Sequence, residues 1–451
     1  MRLAHANVGR VPRWVWGVLL GMHLLVFNWG LVQRRWLFPD SDRYIEAAHN
    51  LWVHQVLYAR PWAQRPVVGQ AIQEFSIRPP GYPMLILLTG ASQLQREPIL
   101  LLLLQNLLSL LNISSVLKWW AWRAQPTARQ WGWAMVVVCL PAQLIYANTL
   151  MSELVVQTLV LIMAISGARL WSQPNTLALT GTVMALSAAL LVKPVFYPLA
   201  GIVAVWGLGL AWYHRRSLWA VVGILPLAVT LLYMSWNDYR TGYFHFSSIT
   251  DINLLHYNAA GVIRQIGGPA AEEQWVADVL GEANSQPNFA LRQRVIQARA
   301  GAMLASHPLV YAGQHLQGML TFFLDPGRFD ISRFFHLAEP AGGGLLVQIR
   351  AAGAKGLLRG LQALPIGLLA ILGVVLLTNV ARILLAIRGF CYANKTLELR
   401  NGRWWLAFLI FYVAFLTGPL GAARFLVPVW PLLLLFALCG LKPIRDVRVD
   451  G

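Results

Sequence analysis

The sequence is short of charged residues and of cysteine. Only 12% of its 451 residues are charged, about half of the roughly 25% that a soluble domain carries, and this shortage excludes a soluble enzyme. The three cysteines, two of them inside apolar stretches, predict neither a disulfide framework nor a zinc cluster. No glycine-rich loop for a dinucleotide or a nucleoside triphosphate is present, so the sequence predicts no nucleotide-binding domain.

Long apolar runs are what the chain has in abundance. Hydrophobic residues make up 57% of the sequence, and the mean hydropathy is +0.55. Many of the runs approach the roughly 20 residues that a membrane-spanning helix needs. We therefore predict an all-α polytopic membrane protein with about ten transmembrane helices. The predicted spans are residues 14–33, 98–117, 131–150, 152–171, 177–192, 195–213, 218–236, 361–381, 404–420 and 425–441.

Charge is distributed unevenly over this topology. The net charge is +18, and with the N-terminus inside, the inner segments carry about +14 and the outer segments about +4. The positive-inside rule then predicts cytoplasmic termini, in what we expect to be a bacterial inner membrane. The basic excess fits topology and contact with anionic membrane lipids, and no basic run with interleaved aromatic residues indicates nucleic acid.

Two long segments fall on the predicted outer face. Residues 34–97 form the first outer loop of a catalytic core that we place at 1–236, and residues 237–360 form an outer segment before the C-terminal helices at 361–451. Each outer segment contains an apolar stretch: the first is interpreted as a surface-lying or re-entrant helix, and the second as an amphipathic helix on the outer interface, since a span there would move the basic residues that follow residue 381 to the outer face. These stretches are residues 82–94 and 307–324. Because 15 of the 18 acidic residues lie outside in this topology, we expect the chemistry there.

The first outer loop opens with Phe-Pro-Asp-Ser-Asp-Arg-Tyr at residues 38–44. A Pro-Asp-Ser start is typical of a helix N-terminus, and a short amphipathic helix is predicted from Tyr44 to Trp52. Asp40, next to a span end, would be partly desolvated, which raises the pKa of a carboxyl and makes it a better base. The alternative is that Asp40 or Ser41 only caps the helix. The segment alone leaves both interpretations open.

Basic and acidic side chains recur at other predicted outer span ends. The Arg-Pro-Pro-Gly-Tyr-Pro turn at residues 78–83 holds Arg78 at the interface, where it can pair with a lipid phosphate or snorkel. Glu153 is the only acid in residues 98–237, so it is paired, used in chemistry, or a helix cap. Lys193 and Arg424 are available to an anionic group, with snorkelling as the alternative.

The order of these motifs resembles the GT-C superfamily of membrane glycosyltransferases. Asp-x-x-Arg-Tyr follows span one, Arg-Pro-Pro-Gly-Tyr-Pro precedes span two, Ser-Glu lies between spans three and four, and Ala-Arg-Phe-x-x-Pro-x-x-Pro comes late in the chain. Within the superfamily the pattern is similar to the lipid A aminoarabinose transferase and protein O-mannosyltransferase group, which use polyprenyl-phosphate sugars. The resemblance covers roughly residues 1–240 and 404–441.

The resemblance implies roles for individual residues. Asp40 matches the catalytic acid of the first outer loop, Arg78 the basic residue associated with the lipid phosphate, and Glu153 the second outer-loop acid. The family often has adjacent acids at the first site. Here Ser41 separates Asp40 from Asp42, so either acid could face the substrate.

The expected function is that of an inverting glycosyltransferase acting on the outer face. The donor would be a polyprenyl-phosphate-linked sugar, and the acceptor a lipid, glycan or protein hydroxyl. Asp40 would act as general base, Glu153 would orient its partners, and no metal would be required. The leaving phosphate would be held by Arg78, Lys193, Arg424 and Tyr82. Candidates for contacting the acceptor or sugar are Tyr44, His256 and Tyr257, with Tyr243 and His245 in the same segment.

Two alternatives remain from the sequence. A transporter or flippase for a lipid-linked sugar would use the same cations without needing a base. A metal-dependent transferase would use Asp40-Ser41-Asp42 as an Asp-x-Asp pair that holds Mg²⁺ or Mn²⁺.

Overall fold

The computed structural model of the chain describes residues 10–63, 67–92, 97–337, 364–393 and 400–442, with four further positions between 355 and 362. All regular secondary structure in these residues is helical. In chain order the helices are α1 (Arg13–Val32), α2 (Ser41–Val53), α3 (Gly81–Leu88), α4 (Ile99–Ala124), α5 (Ala128–Val138), α6 (Pro141–Ala147), α7 (Glu153–Ser172), α8 (Thr176–Val192), α9 (Tyr197–Tyr213), α10 (Ser217–Thr241), α11 (Ile249–Asn253), α12 (Ala260–Asn284), α13 (Phe289–Ser306), α14 (Pro308–Leu324), α15 (Arg328–Phe335), α16 (Ile366–Tyr392), α17 (Gly402–Thr417), α18 (Ala423–Leu426) and α19 (Trp430–Leu441). Short 3-10 turns (Gly69–Phe75, Pro194–Phe196, Gly418–Leu420 and Val427–Val429) and a π-helical turn (Leu254–Ala259) connect some of them.

Eight helical segments in the described part of the chain are long and apolar enough to cross a membrane. They are α1, α4, α7, α9, α10, α16, α17 and the joined pair α18–α19. The third predicted span is the bent pair α5–α6. The fifth is α8, an apolar helix of 17 residues that packs against α7 and α10. The prediction of an all-α polytopic membrane protein is therefore confirmed.

The α5–α6 pair bends by 61°. Pro141 is the first residue of α6. A proline has no N–H to donate, and its ring clashes with the carbonyl of the residue four positions earlier, here Val137, so that carbonyl receives no backbone hydrogen bond from Pro141. Arg382 on α16 donates from Nε to the Val137 carbonyl at 2.9 Å and from Nη2 to the carbonyl of Cys139. The carbonyls released by the bend are thus satisfied inside the bundle, as a membrane interior requires.

The predicted end of the eighth span is wrong. The sequence placed it at residue 381 and assigned Arg382 to a cytoplasmic loop, but α16 continues to Tyr392. Arg382 is only 1% exposed, because its guanidinium serves the carbonyls at the α5–α6 bend. The same helix carries Arg388, and removing both charges from the inner segments leaves the predicted charge asymmetry between the two faces in place.

The outer segments contain the predicted additional helices. The helix after the Pro-Pro-Gly turn is α3, which ends at Leu88 and is shorter than predicted. The predicted helix at 307–324 is α14. Gly318 on α14 lies against the turn that follows α17, where a Cβ atom would clash with the carbonyl of Gly418. Residues 338–354 of the predicted outer segment lie outside the described residues.

The core runs along the centre of the bundle. α16 packs along α19, α9 along α10, and α7 along α8. The largest fully buried side chains include Trp120, Trp219 and Trp430. The α18–α19 pair is the most buried of the candidate spans. Arg424 lies at the start of this pair and is therefore surrounded by other helices at that end of the bundle.

Candidate functional site

Asp40 lies immediately before α2 and faces away from that helix. Its side chain makes no capping hydrogen bond to the α2 backbone. The neighbouring Ser41 ties the loop down instead, since its Oγ accepts from the Phe38 N–H at 2.9 Å and donates to the Leu150 carbonyl at 3.0 Å. The Asp40 carboxylate is therefore free to contact side chains from other helices at this end of the bundle. Asp40 does not cap α2 with its side chain.

Two arginines from distant parts of the chain bind this carboxylate. Arg78 Nη2 lies 2.6 Å from Asp40 Oδ1, and Arg424 Nη2 lies 2.9 Å from Asp40 Oδ2. Burial alone would raise the pKa of Asp40, but the two guanidiniums and the Lys193 ammonium hold it well below its ordinary value. The sequence-based expectation of a raised pKa for Asp40 is thus wrong, because the sequence did not show that both arginines meet there.

Glu153 extends the contacts to a second acid. Its carboxylate is fully buried at the start of α7 and lies 2.9 Å from Lys193 Nζ and 3.5 Å from Arg424 Nε. Arg424 therefore bridges Asp40 and Glu153. The resulting chain of alternating charges is the charge network, consisting of Arg78, Asp40, Arg424, Glu153 and Lys193.

The charge network has three cations and two acids, so it carries one excess positive charge. The Nε atom of Arg78 is buried and donates no hydrogen bond within the described part of the chain, whereas the Nε atom of Arg424 faces the Glu153 carboxylate at 3.5 Å. The side chains of Asp40 and Arg424 are 22% and 24% exposed, which leaves this end of the network accessible. Such a site can accept a further anion, because guanidinium donors bind phosphate oxygens through strong charge-assisted hydrogen bonds.

Two predicted tyrosines support Arg78 from inside the bundle. The Arg78 guanidinium lies over the Tyr44 ring, 4.7 Å from its centroid. Tyr44 packs edge-on against Tyr82 with centroids 4.9 Å apart, and the Tyr82 hydroxyl donates to Gln105 Oε1 at 2.7 Å. Both rings are buried. Their assignments to sugar and phosphate binding stay predictions, and their observed contacts position Arg78.

Asp42 is separate from the charge network. It is exposed in the first turn of α2, and the adjacent Arg43 pairs with Glu74 at 3.4 Å. Among the described residues, no group of three or more His, Cys, Asp or Glu side chains could hold a metal ion. The Asp-x-Asp metal pair stays a prediction.

Of the predicted sugar- or acceptor-binding residues, His256 and Tyr257 lie in the outer segment. His256 and Tyr257 are exposed on the π-helical turn, and His256 lines a separate polar cavity. Tyr243 stacks on His245 with centroids 4.7 Å apart, and His245 Nε2 lies 2.6 Å from Ser76 Oγ. These contacts join the outer segment to the first outer loop, and the acceptor roles stay predictions.

Two acids beside the network were missed by the sequence reasoning. Asp325 Oδ2 accepts from the Ala423 N–H at 2.8 Å, and Asp330 Oδ1 accepts from the Tyr146 hydroxyl at 2.8 Å. Burial raises the pKa of Asp330 to about 7, with the Asp325 charge adding to the effect and Arg424 opposing it. The available signal was a pair of acids flanking a Pro-Gly turn directly after the apolar 307–324 stretch.

An apolar groove leads to the same end of the bundle. It measures about 760 Å³ and lies between α14, α16, α17 and α19, with walls that include Leu320, Phe323, Phe408 and Phe411. Its lining includes Leu324, which precedes Asp325 in the chain. The Asp325 carboxylate accepts the backbone N–H of Ala423, the residue before Arg424. In the other direction, the lining of the groove extends to Phe390 on α16 and Trp404 on α17.

These features define a helical, multi-pass membrane protein with a cationic site at one end of its bundle and an apolar groove beside it. No protein-family model and no curated protein sequence matches the chain. Among solved structures, it is similar to ArnT from Cupriavidus metallidurans bound to undecaprenyl phosphate, with 17% identity over 95% of this chain and 76% of that chain and a TM-score of 0.36. It is also similar to the apo state of the same ArnT, with 15% identity over 94% and 76% of the two chains and a TM-score of 0.36.

Proposed function

We propose that the protein is an inverting glycosyltransferase that moves a sugar from a polyprenyl-phosphate donor to an acceptor hydroxyl on the outer face of the membrane. The observation that carries this proposal is the charge network, with its excess positive charge and the unpaired Nε donor of Arg78. A bacterial inner membrane with cytoplasmic termini is part of the same proposal, supported by the charge asymmetry of the sequence.

The donor phosphate would bind Arg78 and Arg424. These are the guanidiniums that hold Asp40 at 2.6 and 2.9 Å, so a phosphate competes with the carboxylate for them. Each ion pair that Asp40 loses raises the pKa of its carboxyl, because fewer positive charges then favour the ionised form. Binding of the donor would thereby convert a salt-bridged carboxylate into a more effective base.

The transfer itself would be a single displacement. Asp40 takes the proton of the acceptor hydroxyl, the acceptor oxygen bonds to the anomeric carbon, and the bond from that carbon to the phosphate oxygen breaks. The electron pair leaves with polyprenyl phosphate, whose charge is stabilised by Arg78, Arg424 and Lys193. Glu153 is a positioning residue in this scheme, since it holds Arg424 and Lys193 in place.

The polyprenyl chain would occupy the apolar groove. Its walls are nearly all aliphatic and aromatic, and such a surface binds hydrocarbon without unsatisfied polar groups. The groove reaches Leu324, and the next residue, Asp325, accepts the backbone N–H of Ala423 directly before Arg424. The polar end of a bound polyprenyl phosphate would thus reach the cations while its chain stays in the apolar part of the bundle.

The decisive test replaces each candidate base separately in the full chain in nanodiscs, with a radiolabelled polyprenyl-phosphate sugar and native membrane lipids as acceptor source. We expect Asp40→Asn to lose about 10²–10⁴-fold in rate, the usual contribution of general-base catalysis. Asp42→Asn, the matched control, should keep most of the activity because Asp42 is exposed and outside the network. Neither EDTA nor Mn²⁺ should alter these results.

Other outcomes identify the alternatives. Equal loss in both variants together with inhibition by EDTA would establish the metal-pair mechanism. If no sugar is transferred and proteoliposomes move the lipid-linked sugar across the bilayer, with Asp40→Asn only modulating the rate, the protein is a flippase. Gel filtration of each variant checks that the fold is intact.

A further inference from the structure

We infer that a second, polar cavity in the outer region binds a saccharide unit with an anionic substituent, and that this unit belongs to the acceptor. The saccharide site stands on its own geometry, whereas its assignment to the acceptor rests on the proposed function. The cavity measures about 180 Å³. It lies between the first outer loop, the π-helical turn, α12 and α13. Its polar lining includes Arg43, Arg60, Gln73, Asp251, Arg292 and Gln293.

The charges around the cavity favour an anionic ligand. Glu74 is fully buried behind the lining and lies 3.4 Å from Arg43 Nε and 3.3 Å from Arg60 Nε. Arg292 is also buried, and its Nε donates to Asn284 Oδ1 at 2.9 Å. The three arginines face two acids, Glu74 and Asp251, so one positive charge is in excess. Arginine forks are well suited to phosphate and carboxylate oxygens.

The same lining also offers acceptors suited to sugar hydroxyls. Gln293 is 1% exposed, and its Oε1 accepts no hydrogen bond from any residue that the structure describes. Asp251 is 4% exposed and accepts from Gln297 Nε2 at 2.9 Å. Buried polar atoms are nearly always paired, so the unpaired oxygen of Gln293 indicates a partner other than the described residues. A hydroxyl group both donates and accepts, and the mixed lining matches that property.

The cavity has an apolar wall as well. Leu255 and Ile296 are buried and line one side of it, with Leu280 beside them. A sugar ring presents C–H groups on its faces and hydroxyls at its edges. The combination of an aliphatic wall with arginine, amide and carboxylate groups therefore fits a saccharide better than it fits a simple anion.

The position of the cavity connects it to the charge network. Arg43 follows Asp40 by three residues along α2, which corresponds to about 5 Å along a helix axis. Glu74 precedes Arg78 by four residues in the loop that crosses the same region. A saccharide held in the cavity would thus contact the start of α2 and the loop before α3, the same two segments that carry Asp40 and Arg78.

Direct binding to the full chain in nanodiscs of neutral lipid tests the site without any donor. Saturation-transfer NMR and calorimetry would use glucose 6-phosphate, glucose and inorganic phosphate as probes. We expect glucose 6-phosphate to bind most tightly. Gln293→Leu and Arg292→Gln should each weaken it about tenfold, as loss of a charge-assisted or buried hydrogen bond does. Arg294→Gln, an exposed position on the same helix, is the matched control and should bind as the wild type does.

Stability measurements separate a binding site from a merely structural polar core. Gln293→Leu keeps the side-chain volume and removes an unpaired oxygen, so its melting temperature should equal or exceed that of the wild type while saccharide binding falls. Unchanged glucose 6-phosphate binding in both cavity variants would overturn the inference. So would inorganic phosphate binding as tightly as glucose 6-phosphate, because the site would then recognise only the anion.

The two proposals can fail independently. If the protein does not transfer sugar, wild-type binding of glucose 6-phosphate and its loss in Gln293→Leu would still establish the saccharide site. If only the cavity inference is wrong, donor hydrolysis and transfer would remain, and Gln293→Leu would transfer sugar to native acceptors at the wild-type rate. If both are right, Gln293→Leu should lose transfer but retain slow acceptor-independent hydrolysis of the donor.

Discussion

Arg78 illustrates, at the scale of single residues, how a local sequence signal acquires its meaning from a distant partner. The Pro-Pro-Gly turn fixes its backbone before α3, the Tyr44 ring lies beneath its guanidinium, and Asp40 pairs with it. The side chain is therefore oriented before any ligand binds. A phosphate that reaches it encounters a positioned cation, which is the arrangement that stabilises a leaving group most effectively.

Replacing Arg78 should therefore impair use of the donor. We expect Arg78→Ala to lose about 2–4 kcal/mol of transition-state stabilisation in kcat/KM for the donor. Arg78→Lys should recover only part of this, because lysine cannot form the bidentate fork. Arg34→Ala, at an exposed arginine of the same outer loop, is the control. Initial rates at subsaturating donor measure the effect, and a wild-type rate for Arg78→Ala would exclude the phosphate-binding role.

Asp330 should make the stability of the protein depend on pH. Burial raises its pKa from the ordinary value near 4 to about 7, so the folded state binds a proton that the unfolded state has released between these values. Its contribution to stability is complete below about pH 4 and is lost as pH rises to about 7. Wild-type melting temperature in detergent should fall over this range.

The Asp330→Asn variant isolates this effect. It cannot ionise, so its melting temperature should fall less between pH 5 and 8 than that of the wild type. Asp42→Asn removes an exposed acid of the same outer region and should keep the wild-type slope. Parallel curves for the wild type and Asp330→Asn would show that Asp330 does not carry the pH dependence.

At the scale of secondary structure elements, the bend between α5 and α6 depends on a residue from another helix. Pro141 prevents a normal bond to the Val137 carbonyl, and Arg382 supplies the missing donor. The guanidinium also bonds to Asn379 Oδ1 at 2.5 Å and lies 5.3 Å from the Trp430 ring centroid. Arg382 thus stabilises a local backbone conformation while it connects α16, α5 and α19.

We expect Arg382→Met to destabilise the protein by about 1–3 kcal/mol, the cost of leaving buried polar groups unpaired. Pro141→Ala provides a backbone N–H that can donate to the Val137 carbonyl. In that background, Arg382→Met should therefore lower the free energy of unfolding by less. Chemical unfolding in mixed micelles gives the four free energies of this double-mutant cycle. Arg388→Met, at an exposed position on α16, is the control, and strict additivity of the two changes would contradict the proposed link.

At the scale of the whole molecule, hydropathy was sufficient to find the helices and was not sufficient to find their contacts. Every predicted span corresponds to a helix or to a pair of consecutive helices, because apolar length is a local property of the sequence. The five network residues were also predicted, from charges at span ends on one predicted face. Their pairing could not be predicted, since Asp40 and Arg424 are 384 residues apart and meet only after distant helices have packed together. Asp330 was missed for the same reason, because nothing local identifies its contact with Tyr146.

The membrane orientation of the bundle is the remaining prediction at this scale. The charge network includes residues after α1, at the start of α7, after α8 and at the start of α18, which all lie at one end of the bundle. The positive-inside rule predicts that this end faces outward. The turn between α7 and α8 lies at the opposite end and should face the cytoplasm, whereas the α12–α13 connection should lie outside.

Cysteine labelling in intact cells measures this orientation. Cys139, Cys391 and Cys439 are first replaced by alanine, and single cysteines are then introduced at exposed, uncharged positions on the two predicted faces. Ser285→Cys, between α12 and α13, should react with a membrane-impermeant maleimide. Gln173→Cys, between α7 and α8, should react only after the membrane is permeabilised. The opposite pattern would place the charge network on the cytoplasmic side, where an outward-facing transferase site is impossible, and would overturn both the topology and the proposed reaction.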